Sequence, residues 1–533
     1  MSTLTKNLSI YQIYPRSFAD ANGDGIGDLP GIIDKLPYIA ELNIDAVWIS
    51  PFYPSPMKDL GYDVSNFYDI DPIFGTLEDF DNLISAADKL GLRILTDMVF
   101  NHTSDQHPWY IESSSSNNNN KADWYVWIDG EKGKLPNNWL SVFGGNAWTW
   151  HEGRRQYYMH NFLSEQPDLN LHNLEVQQAL LDVMHFWLKK GVGGFRYDVL
   201  NFYFHDRQLR NDPLLLAGEH TINAPDVNPY SCYQHLYSIN QPENIDFIEK
   251  IRKVLDQYNA IGLGEIGADK LGHGIIAEYT KGDKRLHYCY DFNLLGGELN
   301  TDTLLKTIKV GLDNPDSGIC NTTSNHDVIR AVSRWGDGLN DEDLDALIHL
   351  LPVLLVGMKG ALCIYQGEEL GLTEAEIPFE KIQDPYGKYF YPKYKGRDGC
   401  RTPMVWEHHR QNAGFSISDN SAPPWLPIPS EHLTLAVNCQ TEKSDSILNW
   451  YRKIIGLRRK IPALLEGTIE ANTIGNLLQI IRRYQNTVIN IYCNLGVEEE
   501  LLDPRLAEHS EIIAYNYING KLSAYGCTIL SQN

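Results

Sequence analysis

The sequence predicts an α/β fold, a (β/α)8 TIM barrel with an inserted subdomain after strand 3 and a C-terminal all-β sandwich domain. Three observations predict it. Short apolar, β-rich runs ending in polar residues alternate with stretches of helical periodicity. The runs number eight, as a closed barrel requires. Three of them lead to an acidic residue, Asp198, Glu265 and Asp327, as when parallel strands deliver side chains to a common rim. A chain of 533 residues accommodates one such barrel with attachments.

In chain order the strands are expected over 10–14, 46–50, 93–97, 194–198, 260–265, 286–290, 320–324 and 361–366. Helical patterns fall between them at 31–42, 76–90, 175–190, 244–258 and 343–356. In 175–190 the residues Val176, Leu180, Val183, Phe186 and Trp187 share one face. Its basic end, Lys189-Lys190 followed by Gly191, leads into the strand before Asp198. More chain separates the third and fourth strands than a barrel loop needs, so 103–166 is expected to be an inserted subdomain. It carries Trp109, Trp124, Trp127, Trp139, Trp148 and Trp150, and a serine- and asparagine-rich tract, 113–120, expected as a mobile surface loop. A Pro- and Asn-rich loop over 209–244 is expected to lie over the site. After a helical 447–465, β-rich runs at 477–483 and 487–493 predict the C-terminal unit. The barrel is therefore assigned to 1–102 and 167–467, and the sandwich to 468–533.

With 45 Lys and Arg against 69 Asp and Glu, the formal charge is −24, which disfavours nucleic acid and anionic lipid as partners. A neutral or cationic ligand is expected. Aromatic residues make up 11% of the chain, and flat apolar faces with polar tips suit sugar rings. Eight scattered cysteines with no Cys-x-x-Cys pair read as reduced thiols, and no organic cofactor is expected. Residues 1–10 lack a signal-peptide pattern, and the apolar run 350–358 contains Pro352 and stops at Lys359, short of the roughly 20 residues a membrane span needs. A cytoplasmic monomer or homodimer is expected.

Four segments occur in order: Asp97-Met98-Val99-Phe100-Asn101-His102, Gly194-Phe195-Arg196-Tyr197-Asp198, Glu265 with its strand, and Asn325-His326-Asp327. Together they resemble the α-amylase family of glycoside hydrolases (family 13) over nearly the whole chain. Gln166-Pro167-Asp168-Leu169-Asn170 looks like the signature of its oligo-1,6-glucosidase and α-glucosidase branch, and Glu368-Glu369-Leu370-Gly371 and the run from Arg397 to Met404 extend the likeness.

The resemblance implies a retaining α-glucosidase acting on short α-glucosides, with Asp198 as nucleophile, Glu265 as acid/base and Asp327 as transition-state stabiliser. Arg196 lies two positions before Asp198 on the same strand face and is expected to hold that carboxylate ionised. Tyr197, between them, should point away and affect packing. His102 and His326 are implied as donors to sugar hydroxyls. Gly61-Tyr62-Asp63 is similar to the segment in which the tyrosine stacks under the terminal glucose and the aspartate binds its outer hydroxyls. Asp63 then needs a cationic partner, Arg397 or Arg401. Such a pair closes the pocket and implies exo-action. Phe143 and Phe162 are expected to wall the leaving-group side, or to fill core.

Val199 is similar to relatives that cut α-1,6 bonds, whereas 201–206 looks like relatives preferring short α-1,4 substrates. A transglucosylase or sucrose isomerase using the same intermediate is the alternative. A non-catalytic member commonly lacks one of the carboxylates, and all three are present here.

Asp20, Asn22, Asp24 and Asp28, with the Ile26 carbonyl, place oxygens at positions 1, 3, 5, 9 and 7 of a tight loop, the first part of an EF-hand. Gly31 stands where the bidentate glutamate belongs. Similar loops in this branch hold one structural Ca2+ or Mg2+, which is expected here; the other reading is a metal-free turn.

Overall fold

Eight parallel strands form the barrel in the computed structural model, which describes residues 7–532 apart from 222–223, 268–271, 315, 419, 505 and 507–508. Strands one to eight are Ser9–Ile13, Ala46–Ile49, Arg93–Met98, Gly194–Tyr197, Ile261–Ile266, Tyr288–Asp291, Cys320–Thr322 and Ala361–Tyr365. All eight fall where the sequence places them, with ends moved by one or two residues. Each pairs with its sequence neighbours except strands six and seven, and the eighth pairs with the first through Ser9–Leu362 to Gln12–Tyr365. The seam between strands six and seven is bridged at Cys289 and Ile319, with Cys289 N–H donating to the Gly318 carbonyl at 2.9 Å. Side chains alternate along each strand. Ile10, Trp48, Leu95, Leu263, Tyr290 and Cys363 therefore fill the interior, while Tyr11, Val47, Ile94, Phe195 and Leu362 pack outward against the helices.

The helices begin where their caps dictate. Asp28 caps Leu29–Glu41, a Thr76–Asp79 capping box starts Leu77–Lys89, Asn173 caps Leu174–Lys189, and Asn340 caps Asp341–Gly357. Asn244–Gln257 also lies as expected. Helices Gly272–Tyr279 and Thr301–Asp313 have no counterpart in the sequence reading. Thr301, Thr303, Thr307 and Gly311 lower helix propensity in the second, which forms through tertiary packing of Leu304 and Ile308.

Between strand three and the helix at 174–189, the strands Trp127–Asp129, Gln156–Met159 and Trp148–His151 make a small antiparallel sheet over its own core of Trp139, Trp148 and Tyr157. The serine-asparagine tract is not simply a loop. Ser113–Ser115 complete a helix, Pro108–Ser115, because Trp127 Nε1 donates to the buried Ser113 hydroxyl at 3.0 Å. At the other end, the helical 447–465 divides into Ile447–Lys460 and Pro462–Glu466, since Pro462 has no N–H to continue the first helix. Six antiparallel strands follow, from Thr468–Ile474 to Lys521–Gln532. The buried Arg482 anchors this sheet to the barrel domain: its Nη1 donates to the Gly357 and Met358 carbonyls at 3.0 and 2.9 Å, at a helix C-terminus that favours a cation. No helix among the described residues is long and apolar enough to cross a membrane.

Candidate active site

Every strand C-terminus points to one end of the barrel, and the three acidic residues meet there. Asp198 follows strand four, Glu265 lies within strand five, and Asp327 sits just past strand seven. Together with Tyr62, Arg397 and others they line a pocket of about 270 Å³. At its floor the fully buried Arg196 contacts three carboxylates: Asp97 at 2.9 Å, Asp198 at 2.7 Å and Glu265 at 2.5 Å. Its guanidinium also lies over the Trp48 ring, 4.7 Å from the centroid.

The sequence assigns Arg196 to holding Asp198 ionised, and their 2.7 Å contact acts in that direction, but the cation is not reserved for Asp198. One cation is divided among three buried acids, so burial pushes both Asp198 and Glu265 up to about 7 despite Arg196, with Asp327 adding to both. Asp97 is likewise raised by burial to about 6. Asp327 behaves oppositely. Burial works against its charge, but His326 and the guanidiniums of Arg397 and Arg401 outweigh it and hold Asp327 well below the usual carboxylate range. Burial keeps His326 itself neutral, so the two arginines carry that effect. Tyr197 points outward as expected and packs its hydroxyl 3.7 Å from Met184 Sδ.

The structure separates the two arginines that the sequence could not. Arg397 lines the pocket and donates to Asp327 at 3.1 Å, to Asp59 at 2.7 Å and to Asp384 at 2.7 Å. Arg401 lies behind Asp327, donating to it at 2.9 Å and to the His326 carbonyl at 2.6 Å. Asp63 is not their partner. It is fully buried and ties its own loop, accepting from Ser55 Oγ and from the amides of Lys58 and Asp59. Asp59, four residues earlier, takes the arginine. Lys58-Asp59-Leu60 leads directly into the Gly61-Tyr62-Asp63 segment and was the available signal; Asp384, beside Pro385, had none.

The histidines also differ from expectation. His326 is absent from the pocket wall, stacked between Tyr14 and Tyr62 with ring centroids at 5.6 and 5.3 Å. Its nitrogens meet Gln12 Nε2 at 2.7 Å, the Tyr62 hydroxyl at 2.5 Å and Asp327 at 3.2 Å, so it braces the wall from behind. His102 does line the pocket, but its ring is engaged by Asn101, Gln166 and the Tyr62 carbonyl. Donation to a sugar hydroxyl requires it to exchange one of these partners. Phe143 and Phe162 line the pocket and also pack with Phe202, Ile239 and Tyr386 in a buried cluster, and the Arg397 guanidinium lies 4.8 Å from the Phe143 ring centroid. From the loop at 209–244, Ala224 and Pro225 reach the pocket, and Asn228 Nδ2 bridges the Val142 carbonyl and the Tyr386 hydroxyl at 2.7 and 2.9 Å. Residues 222–223 of that loop lie outside the described residues.

In the 20–28 loop, Asp20 accepts from the Gly23 and Gly25 amides, and Asp28 from those of Ala21, Asn22 and Gly31. Gly31 is required by a close approach: a Cβ there would lie 2.1 Å from the Ala19 carbonyl oxygen, so no glutamate fits. Among the described residues no three acidic, His or Cys side chains form a metal-ligand group, and a site here depends on Asn22 and the Ile26 carbonyl as well. Asp20 and Asp28 are 0% and 2% exposed and have no ion-pair partner among the described residues, an arrangement that fits a cation.

Residues 12–467 match the family model for the alpha amylase catalytic domain. A probable alpha-glucosidase of Rhizobium meliloti (strain 1021) is 52% identical over 497 residues, 92% of this chain and 89% of that protein. An oligo-1,6-glucosidase of Parageobacillus thermoglucosidasius is 37% identical over 498 residues, 87% of this chain and 85% of that protein. Among solved structures, an alpha-glucosyl transfer enzyme, XgtA, superposes with a TM-score of 0.92 at 44% identity, covering 99% of each chain.

Proposed function

The chain belongs to the alpha-amylase catalytic-domain family of glycoside hydrolases, and from that premise we propose that it is a retaining, exo-acting α-glucosidase. It removes terminal non-reducing α-linked glucose from short oligosaccharides. One observation carries this reading: a single guanidinium, Arg196, contacts both Asp198 and Glu265 at the floor of a pocket whose wall includes the Arg397–Asp59 ion pair. Two carboxyls so close suit double displacement, which needs them about 5–5.5 Å apart.

Asp198 attacks the anomeric carbon while Glu265 gives its proton to the departing oxygen, leaving a glucosyl ester on Asp198. Glu265, now ionised, takes a proton from the incoming water, and the ester is cleaved with net retention. Asp327, kept anionic by Arg397 and Arg401, holds ring hydroxyls and stabilises the developing positive charge. Arg397 with Asp59 blocks extension beyond the terminal sugar, which favours exo-action.

Maltose, isomaltose, sucrose and an aryl α-glucoside compared side by side, with product followed by proton NMR, test the reading. α-Glucose must appear before its β-anomer; β-glucose first, or no turnover of any α-glucoside, refutes it. The same spectra decide a second reading, glucosyl transfer to another sugar, which the likeness to a transfer enzyme favours. New disaccharides in place of glucose support transfer. The panel also separates α-1,6 preference, to which Val199 points, from α-1,4.

A divalent cation, Ca2+ or Mg2+, is inferred at Asp20, Asn22, Asp24, Asp28 and the Ile26 carbonyl, where it would neutralise two buried carboxylates. All eight cysteines are free thiols, which supports a reducing, cytoplasmic setting.

A further inference from the structure

One hydroxyl at the heart of the site has no part in the mechanism above, that of Tyr290 on strand six. Its oxygen receives N–H groups from Arg196 Nη2 at 2.9 Å and Nε at 3.2 Å. Both acceptor positions are then occupied, so the phenolic proton has one direction left, Glu265 Oε1 at 3.2 Å. Burial raises the Tyr290 phenol far above its ordinary value, and it stays a donor at any working pH.

The two oxygens of Glu265 are consequently unlike. Oε2 accepts the Val199 amide at 3.0 Å and lies 2.5 Å from Arg196 Nη2. Oε1 meets a single neutral hydroxyl. Val199 holds its amide in place at φ +36°, a left-handed conformation that is costly for a β-branched residue and so marks an imposed orientation. A proton on Glu265 is repelled from Oε2 by the cation and the amide, and settles on the free lone pair of Oε1.

We propose that Tyr290 is a positioning residue for acid/base catalysis, fixing Glu265 so that Oε1 carries the transferable proton and keeping that carboxyl acidic enough to release it. The inference rests on Glu265 being the acid/base. In the step, the Oε1 proton passes to the glycosidic oxygen as the bond from the anomeric carbon to that oxygen breaks. The bonding pair stays with the departing oxygen while an Asp198 oxygen forms the new bond to carbon. The other groups facing Glu265 are Arg196 and Asp198 from strand four, Asp97 from strand three through Arg196, and Asp327 beyond strand seven. Of these only Arg196 favours the ionised form, and Tyr290 supports it from the side of Oε1.

Tyr290→Phe in the full chain tests this with kcat and kcat/KM measured from pH 5 to 9 on the preferred disaccharide and on 4-nitrophenyl α-glucoside. Loss of the donor moves the alkaline limb of kcat/KM upward by about half to one pH unit. It lowers kcat on the disaccharide about tenfold, because a weaker acid protonates a poor leaving group less well, while nitrophenyl release changes less than about threefold. An unmoved limb, or equal loss on both substrates, overturns the inference. If the variant shows no cooperative melt, 3-fluorotyrosine at position 290, a stronger donor, must move the limb downward, and an unmoved limb again overturns it. Glu265→Gln serves as control: a wild-type alkaline limb that survives it refutes the assignment of Glu265, and this inference with it.

Discussion

Replacing Arg397 by alanine removes a cation that contacts Asp59, Asp327 and Asp384 together, leaving Arg401 against Asp327 alone. Asp384 is fully buried and Asp59 is 3% exposed, both within 2.7 Å of the guanidinium. Breaking a buried pair by removing one partner costs about 3–5 kcal/mol, because the remaining charge keeps its desolvation penalty without compensation. An unfolding entropy of about 2.1 cal/mol/K per residue turns this into a Tm lowered by roughly 3–5 °C for a chain of this length unfolding as one unit. The loss depends on pH. In the wild type, Asp384 is held below its usual value although burial opposes this, so its contribution is present above the unfolded carboxylate range and fades as pH falls through the folded value. Asp59 is already raised by burial to about 6 beside Arg397, and without that cation both acids move further up, so the variant binds more protons on folding and recovers as pH is lowered. Melting curves of wild type and Arg397→Ala at pH 5 and pH 8 therefore show the larger gap at pH 8, and adding Asp59→Asn narrows it. An equal gap at both pH values refutes the electrostatic account.

Asp198→Ala and Glu265→Gln each lower kcat by about three orders of magnitude or more with Tm little changed, but the glutamine variant retains more activity on 4-nitrophenyl α-glucoside, whose leaving group needs little protonation; near-normal turnover by Asp198→Ala overturns its role as nucleophile. The wild-type pH profile falls on the alkaline side near 7, where Glu265 loses its proton, and on the acid side as Asp198 gains one; a flat profile from pH 5 to 9 contradicts both assignments. Chelation lowers Tm and elemental analysis finds one divalent ion per chain, whereas an unchanged melt with no ion means that 20–28 is a plain turn.

The barrel was legible because each strand is a compact β-rich run between helices with strong caps, so local sequence and final structure agree. Where local signals were weak, they misled. The 301–313 helix depends on partners that the sequence does not display beside it, and the Ser113 turn on a tryptophan fourteen residues away. Within the site, the three carboxylates were visible because strand ends position them. The pairing of Arg397 was not, since Asp59 and Asp63 lie four residues apart in one loop and only the folded turn decides which one faces outward. Tyr290 carries no motif at all; its role comes from the convergence of strands four, five and six upon one guanidinium.

That convergence also explains how neighbouring carboxylates take opposite protonation. Around Arg196 three acids share one cation in a closed interior, so the set carries surplus negative charge and retains a proton near neutrality. Around Asp327 two guanidiniums bear on one carboxylate oxygen and hold it ionised, with 21% of the side chain exposed. A neutral glucose therefore sits between a protonated donor and a fixed anion. As its anomeric carbon becomes positive, that charge meets the surplus negative charge around Arg196 on one side and the Asp327 anion on the other. The stabilisation is thus greater in the transition state than for the neutral bound sugar, which is the difference that accelerates a reaction. An acidic sugar would meet the same surplus negative charge in its ground state, so the site selects neutral glycosides by the very field it uses for catalysis.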